Sequence, residues 1–315
     1  MNTKIKGIIY AFIAAVSYGT NPLGALHLYQ EGLNTDSVLF YRFSIAALLL
    51  GVFMLLQKKS FKVTVKELSL LSVLGILFAS SALTLFTSFH YMDAGIASTL
   101  LFVYPVMVAI LMAVFYKEKI SVITFLSILL ALGGIALLYK NEGGSALSTV
   151  GIMLVMISSL TYAVYIIIVN KSSLVMSSVK LTFFVLLFCI ITIFIHSFFS
   201  EEYHLHLLPS LSSWMWAVIL ALVPTVISLI FMVMAVHAIG STPTAIMGAL
   251  EPVTAVVIGV TIFGEIFTMQ LASGIGLILF AVMLIIIGKS FNPQKMIISA
   301  NHRVKIVWKK YFRWK

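Results

Sequence analysis

Few side chains in this sequence can do chemistry, and those that can are set in apolar surroundings. Glu251, in "IMGALEPVTAVVIGV", is the one formally charged residue between Glu202 and Glu265. A carboxylate in the middle of a membrane costs roughly 2.5–3.5 kcal/mol on insertion scales, so it must face the interior and find a partner or a proton. It would bind a cationic group, exchange protons, or make a structural hydrogen bond as the neutral acid. Tyr18 and Asn21 belong to "YGTNPLG", turn chemistry inside the uncharged run "GIIYAFIAAVSYGTNPLGALHL". Pro22 removes one helical hydrogen bond and clashes with the Tyr18 carbonyl, so the helix bends or opens over 18–22. In lipid such a break is costly unless it faces protein or a water-filled cavity. Asn21 brings a donor and an acceptor to it. The break is either a ligand site or a packing kink with a hydrogen-bonded Asn.

The same device recurs. Tyr104 precedes Pro105 and Glu251 precedes Pro252, which frees the carbonyls of Leu101 and Gly248. Tyr162 matches Tyr18 in the second half of the chain. Tyr18, Asn21, Tyr104, Tyr162 and Glu251 are the candidate substrate-binding residues. Pro22, Pro105, Pro224 and Pro252 are candidate gating or packing kinks. Arg42, about one and a half turns inside the second apolar run, would snorkel outward, attract a carboxylate, or pair with an acid; it is assigned to gating or structure. Ser80, Thr84, Thr87 and Tyr91 share one narrow helical face and would line a polar route or serve close packing. His90 and His237 match across the halves, each at the end of a run. Glu118 and Glu265 end two runs at the water boundary and read as structural. No catalytic triad, HExxH or phosphate-binding glycine loop is present, so no catalytic, metal or cofactor role is assigned. His204 and His206 of "EEYHLH" read as solvated loop polarity.

The elements that must position these residues follow from composition. The chain is 61% hydrophobic and 10% charged, with mean hydropathy +1.13, which places it among multi-pass membrane proteins. Its single cysteine, Cys189, excludes a disulfide framework and a cysteine-based zinc site. Ten apolar segments fall at about 7–27, 37–56, 68–90, 94–115, 121–139, 149–170, 180–200, 214–238, 242–263 and 269–288. Runs of that length satisfy their backbones in lipid only as helices. The first is expected to be a retained helix and not a cleaved signal. Loop charge alternates. Lys4, Lys6, Lys58, Lys59, Lys62, Lys66, Lys117, Lys119, Lys171 and Lys180 share one side with the basic tail. The other side carries Lys140 with Glu31, Asp36, Asp93, Glu142, Glu201 and Glu202. The positive-inside rule then puts both termini in the cytoplasm. This confinement of the +10 charge argues against nucleic acid as a partner.

The chain also repeats itself. Residues 90–118 align without gaps on 237–265 at an offset of 147, matching His90 with His237, Pro105 with Pro252 and Glu118 with Glu265. The first and sixth segments align at an offset of 144, Ser17-Tyr18 on Thr161-Tyr162. Two halves of five helices, 1–140 and 149–288, must insert with opposite orientation, a pattern of secondary transporters with a site at the repeat interface. "YGTNP" in helix one, "FYRF" in helix two and the proline-to-glutamate ends of helices four and nine resemble the EamA family of the drug/metabolite transporter superfamily. The resemblance covers about residues 5–288 and is densest in "LEPVTAVVIGVTIFGE" followed by "GIGLILFAVMLI". It implies an all-α transport fold of ten helices in a bacterial cytoplasmic membrane, carrying amino acids, other metabolites or drugs.

The expected function is a secondary transporter that exports a small amino-acid-like compound or drug by alternating access, with protons as a candidate coupling partner. The alternatives are an intramembrane enzyme using Glu251 and a non-transporting membrane sensor. Gly133-Gly134 and Gly274-Ile275-Gly276 allow helices five and ten to pack together or support a homodimer. The tail 289–315 reads as a basic amphipathic segment resting on anionic lipid.

Overall fold

The computed structural model describes residues 3–117, 121–139, 148–172, 176–199 and 204–290, and every regular element among them is helical. The first half holds α1 (Thr3–Gly19), α2 (Asn21–Gln30), α3 (Thr35–Leu56), α4 (Val65–Ser88), α5 (Ala94–Leu101), α6 (Tyr104–Tyr116) and α7 (Val122–Tyr139). The second holds α8 (Thr149–Lys171), α9 (Ser178–His196), α10 (Leu211–Ala221), α11 (Ser228–Ile239), α12 (Ser241–Met247), α13 (Leu250–Ile262) and α14 (Met269–Ser290). A six-residue π-helical stretch, Leu222–Ile227, joins α10 to α11.

Eight helical segments are long and apolar enough to cross a membrane. Of the ten segments expected, the remaining two are the divided first helix and α7. Pro22 is why the first is divided: α1 and α2 have 17 and 10 residues and part at Thr20. Helix α7 is apolar over the shorter stretch Val122–Leu137. Glu118 and, beyond Ser290, the expected tail lie outside the described residues. Side-chain caps start the helices where the chain leaves its loops. Asn34, Ser148, Ser177 and Ser210 accept from backbone N–H groups, and Thr64 and Glu67 form a reciprocal capping box. Large apolar side chains such as Leu48, Leu55 and Phe115 point outward, as lipid contact requires.

Helix contacts depend on small residues. A Cβ at Gly134 of α7 would stand 2.9 Å from the Gly274 carbonyl of α14, so this pair packs at backbone distance. The main contacts pair α7 with α14, α1 with α11, α4 with α8, α3 with α9, α4 with α9 and α5 with α13. Taken as whole spans, each of these pairs has its counterpart on exchange of the halves, α4 with α9 in the weaker contact of α3 with α10. A polar clasp repeats too. Ser81 and Ser158 join α4 to α8 through reciprocal bonds, Ser81 Oγ to the Ser158 carbonyl at 3.0 Å and Ser158 Oγ to the Ser81 carbonyl at 2.7 Å. Ser228, 147 residues after Ser81, donates to the carbonyl of Ala14, 144 residues before Ser158, at 3.0 Å.

At the acidic end three carboxylates tie the halves together. Glu31 accepts from Ser210 and Ser213 at the start of α10, at 2.5 and 2.7 Å. The serine hydroxyls there hold its carboxyl well below the usual range, at about 2. Asp36 meets His196 Nδ1 at 2.8 Å. Glu265 reaches the start of α5, accepting from the N–H groups of Ala94 at 2.8 Å and Gly95 at 3.3 Å. Gly264, at φ +70°, turns the chain back after α13 so that Glu265 points there, and the Glu265 N–H closes the turn on the Gly259 carbonyl at 3.0 Å.

Burial and the neighbouring Asp93 push the Glu265 carboxyl up to about 7. The folded chain therefore holds this proton more tightly than the unfolded chain. Stability contributed by the neutral acid is present in acid and lost as pH rises from the ordinary glutamate value through about 7. Glu265→Gln keeps a carbonyl acceptor and never ionises. In detergent, the melting temperature of the wild type should fall relative to this variant as pH rises from about 5 to about 8. Parallel pH profiles would show that Glu265 is ordinarily solvated.

Candidate functional site

Three helices start anew at a polar residue followed by proline. Asn21-Pro22 opens α2, Tyr104-Pro105 opens α6, and Glu251-Pro252 lies in the first turn of α13. Proline fits the first turn because its missing N–H would have no helical acceptor there. Each break is a tight turn, with Thr20 N–H bonded to Ser17, Val103 to Leu100 and Ala249 to Ile246. Two of the freed carbonyls find donors: Ser159 Oγ of α8 reaches the Leu101 carbonyl at 3.2 Å, and the Glu251 N–H reaches the Gly248 carbonyl at 2.9 Å. Two of the breaks touch. A Cβ on Gly19 would stand 2.5 Å from the Glu251 carbonyl oxygen, so only glycine allows this approach.

The result is one cavity, lined by Tyr18, Asn21, Tyr104, Tyr162 and Glu251 together with Pro22 and Pro252. All five candidate binding residues meet there. Tyr104 packs edge-on to Tyr162 across the halves, with centroids 4.8 Å apart, an arrangement worth about 0.5–1.5 kcal/mol beyond burial. Phe78 and Tyr165 continue the cluster behind Tyr162. Leu85, Leu101, Met232 and Ala255 make the rest of the wall largely apolar. Helix α8, which carries Tyr162, is unbroken, so the match of Tyr162 to Tyr18 does not extend to a second kink.

The polar groups of the five candidate residues have no partners in this cavity, whereas Ser228 in its wall is bonded to the Ala14 carbonyl. Among the described residues, neither the hydroxyls of Tyr18, Tyr104 and Tyr162 nor the Glu251 carboxylate has a hydrogen-bond partner. Asn21 is 6% exposed, and its Oδ1 is the one fully buried side-chain polar atom among them without a partner. An unmet buried acceptor costs about 1–3 kcal/mol. Glu251 sits at the start of α13, where the helix dipole favours a negative charge. The cavity thus offers an acceptor with negative character and three hydroxyls in an aromatic, apolar box.

Arg42 does not snorkel. It is 4% exposed, Nε donates to Thr225 Oγ1 at 3.1 Å, and the guanidinium lies over the Phe43 and Phe86 rings at 5.4 and 5.3 Å. A charged hydrogen bond of about 1.5–3 kcal/mol and ring contacts of about 0.5–2 kcal/mol each can offset its burial without a carboxylate. It lines a second, smaller cavity that shares Tyr18, Asn21, Leu85, Leu101 and Tyr162 with the first. Pro224 lies in the π-helical stretch that carries Thr225, so that irregularity supplies Arg42's partner.

The serine-threonine stripe is divided. Thr87 and Tyr91 line a third cavity, at the acidic end, with His90 and Asp36. Thr84 bonds back to the Ser80 and Ser81 carbonyls, and neither Ser80 nor Thr84 borders the central cavity. His237 is exposed. Sequence spacing missed Ser81, Ser158 and Ser159, which do the interhelical bonding.

An all-helical bundle of long apolar segments, with broken helices meeting around one cavity, defines the class of multi-pass membrane proteins. The chain matches the EamA-like transporter family twice, over residues 5–140 and 149–287, and belongs to that family. An uncharacterized transporter from Clostridium kluyveri is 26% identical over 175 residues, 53% of this chain and 56% of the relative. One from Archaeoglobus fulgidus is 27% identical over 192 residues, 61% of this chain and 67% of the relative. The aligned part is therefore little more than half of the first relative's length. A solved protein structure superposes with a TM-score of 0.63 at 16% identity, covering 88% of this chain and 95% of its own, which shows the fold alone.

Asn21→Leu keeps the size of the side chain and deletes the unmet acceptor. It should unfold in detergent at or above the wild-type temperature, with a gain of up to about 1–3 kcal/mol. A clear loss of stability would make Asn21 the packing element of the break.

Proposed function

We propose that the chain is a secondary transporter that moves a small metabolite across the cytoplasmic membrane by alternating access. The observation that carries this reading is the convergence of Tyr18, Asn21, Tyr104, Tyr162 and Glu251, with unused polar groups, on one cavity at the junction of the two halves. In this reading ten helices cross the membrane as two inverted five-helix repeats, 1–140 and 149–288. Lysine-rich loops place both termini in the cytoplasm. The halves rock about the kinks at Pro22, Pro105, Pro224 and Pro252. The tail rests on anionic lipid, and a homodimer is compatible with the exposed apolar faces.

The cargo is an amino-acid-like compound or drug that bears a cationic group. Glu251 receives that group, or takes the proton exchanged for it, and the net direction is export. The family and its transporter-named relatives support transport over the two rivals, an enzyme built on Glu251 and a sensor.

Purified protein in liposomes tests this. Amino acids and related amines are screened for flux with and without an imposed pH gradient, with Glu251→Gln as the comparison. Gradient-dependent flux should fall by about tenfold or more in the variant, the loss of one charged hydrogen bond. Unchanged flux would return Glu251 to a structural role. A recovered compound that had changed chemically would favour the enzyme, and binding without flux would favour the sensor.

A further inference from the structure

Helix α5 is capped from the other half of the molecule. Asp93 stands at its N-cap, where a carboxylate ordinarily accepts from the first free N–H groups, yet its side chain makes no capping bond. The N–H groups of Ala94 and Gly95 go to Glu265 instead, at 2.8 and 3.3 Å. Glycines make room for that reach. A Cβ at Gly95 would stand 2.9 Å from Glu265 Oε2, and one at Gly259 would overlap the carboxyl group. The N-cap at the matching position of the second half, 147 residues on, is Gly240, which starts α12 without any carboxylate. The repeat therefore does not require an acid at position 93. The other titratable groups near this contact have work of their own. From α2, His27 lies edge-on to Phe263 at 5.2 Å and bonds to the Leu23 carbonyl, while Glu31 is taken by Ser210 and Ser213. Beyond α4, His90 meets Thr35 and Tyr91 is half-exposed. The first two turns of α8 and of α14 carry no titratable side chain.

We propose that Glu265 and Asp93 are alternative caps of α5: Glu265 holds the helix start while the acidic end is closed, and Asp93 takes it over when α13 withdraws. This switch rests on the alternating-access reading of the two halves. Without a substitute, opening would strand the first N–H groups of α5, and a local carboxylate at the N-cap removes that cost. The exchange also moves a proton. In the closed end, burial and Asp93 hold the Glu265 proton up to about 7, and burial pushes the Asp93 carboxyl up as well. Withdrawn into water, Glu265 returns to the ordinary glutamate range. On opening, its carboxyl group therefore gives one proton to water on the acidic side and leaves as the carboxylate, while the Asp93 carboxylate accepts from the helix start. The closed form binds the extra proton, so it is favoured in acid and loses that advantage as pH rises through about 7.

The test is a distance measurement on the full chain in lipid nanodiscs, by electron–electron double resonance. Spin labels go on Val150→Cys and Phe267→Cys, with Cys189→Ser removing the native thiol. Both labelled positions are exposed; Val150 starts α8, which packs on α5, and Phe267 follows α13. Two distances are expected. The longer should gain on the shorter by up to about tenfold per pH unit between about pH 5 and about pH 7, the slope of one proton, and level off above. In Glu265→Gln the ratio should be flat with pH. Glu265→Ala should raise the longer distance even in acid, whereas Asp93→Ala should lower it about fivefold at pH 8, the worth of a lost cap. Asp93→Asn still caps, so it should keep the longer distance and move the midpoint to lower pH. The wild-type pH series and the two amide variants decide the matter where an alanine variant does not fold. An Asp93→Ala ratio equal to wild type would overturn the exchange of caps. A wild-type ratio that ignores pH would overturn the proton release. One distance in every variant and at every pH would overturn the switch itself, whatever flux the liposomes show.

Discussion

A backbone that leaves its helix inside a membrane must find partners other than lipid, and this constraint governs the centre of the molecule. Prolines at 22, 105 and 252 each forbid a continuous helix. The chain answers by turning tightly, by lending Ser159 to the Leu101 carbonyl, and by folding the Glu251 N–H onto Gly248. Such repairs are possible only where other helices come close, so all three breaks lie inward. Once they do, the residue before each proline stands at the head of a half-helix and faces its counterparts. The chamber is a consequence of where helices are permitted to break.

Close approach is the second requirement, and small residues meet it. Gly19 admits the Glu251 backbone, and Gly134 admits the Gly274 carbonyl. Between helices, hydroxyls substitute for the hydrophobic driving force that lipid removes. The Ser81–Ser158 clasp and its counterpart from Ser228 to Ala14 bond the same pair of positions in each half. One partner can be an alanine because the acceptor is a carbonyl. The symmetry is therefore carried by backbone geometry more than by side-chain identity.

Much of the chamber was legible in the sequence because lipid makes exceptions conspicuous. An Asn-Pro in an uncharged run, a lone glutamate and paired tyrosines stand out against Leu and Ile, and the structure gathers all five. What spacing did not reveal depends on which face of a helix meets which neighbour. The stripe Ser80, Thr84, Thr87 and Tyr91 has regular spacing, yet the residue that bonds across is Ser81, one position away. Arg42 near a span end reads as a gating or structural residue with snorkelling left open; its inward path depends on Thr225 and Phe86 from elsewhere in the chain and on its neighbour Phe43. Glu265 at a helix end reads as a water-boundary residue, and nothing local announces that it reaches the N–H groups of Ala94 and Gly95. Each miss is a long-range pairing, invisible to a window moving along one helix.

The halves agree in their packing and disagree in their polar residues. Tyr104 stands where the other half has Glu251, and Asn21 where it has Tyr165. Under the proposed inverted arrangement the scaffold needs symmetry, because the same contacts must be able to form facing either side. The site needs the opposite. Two equivalent walls cannot hold an asymmetric molecule in one orientation. Specificity therefore has to be written in the positions where the repeat is broken, and packing in those where it is kept.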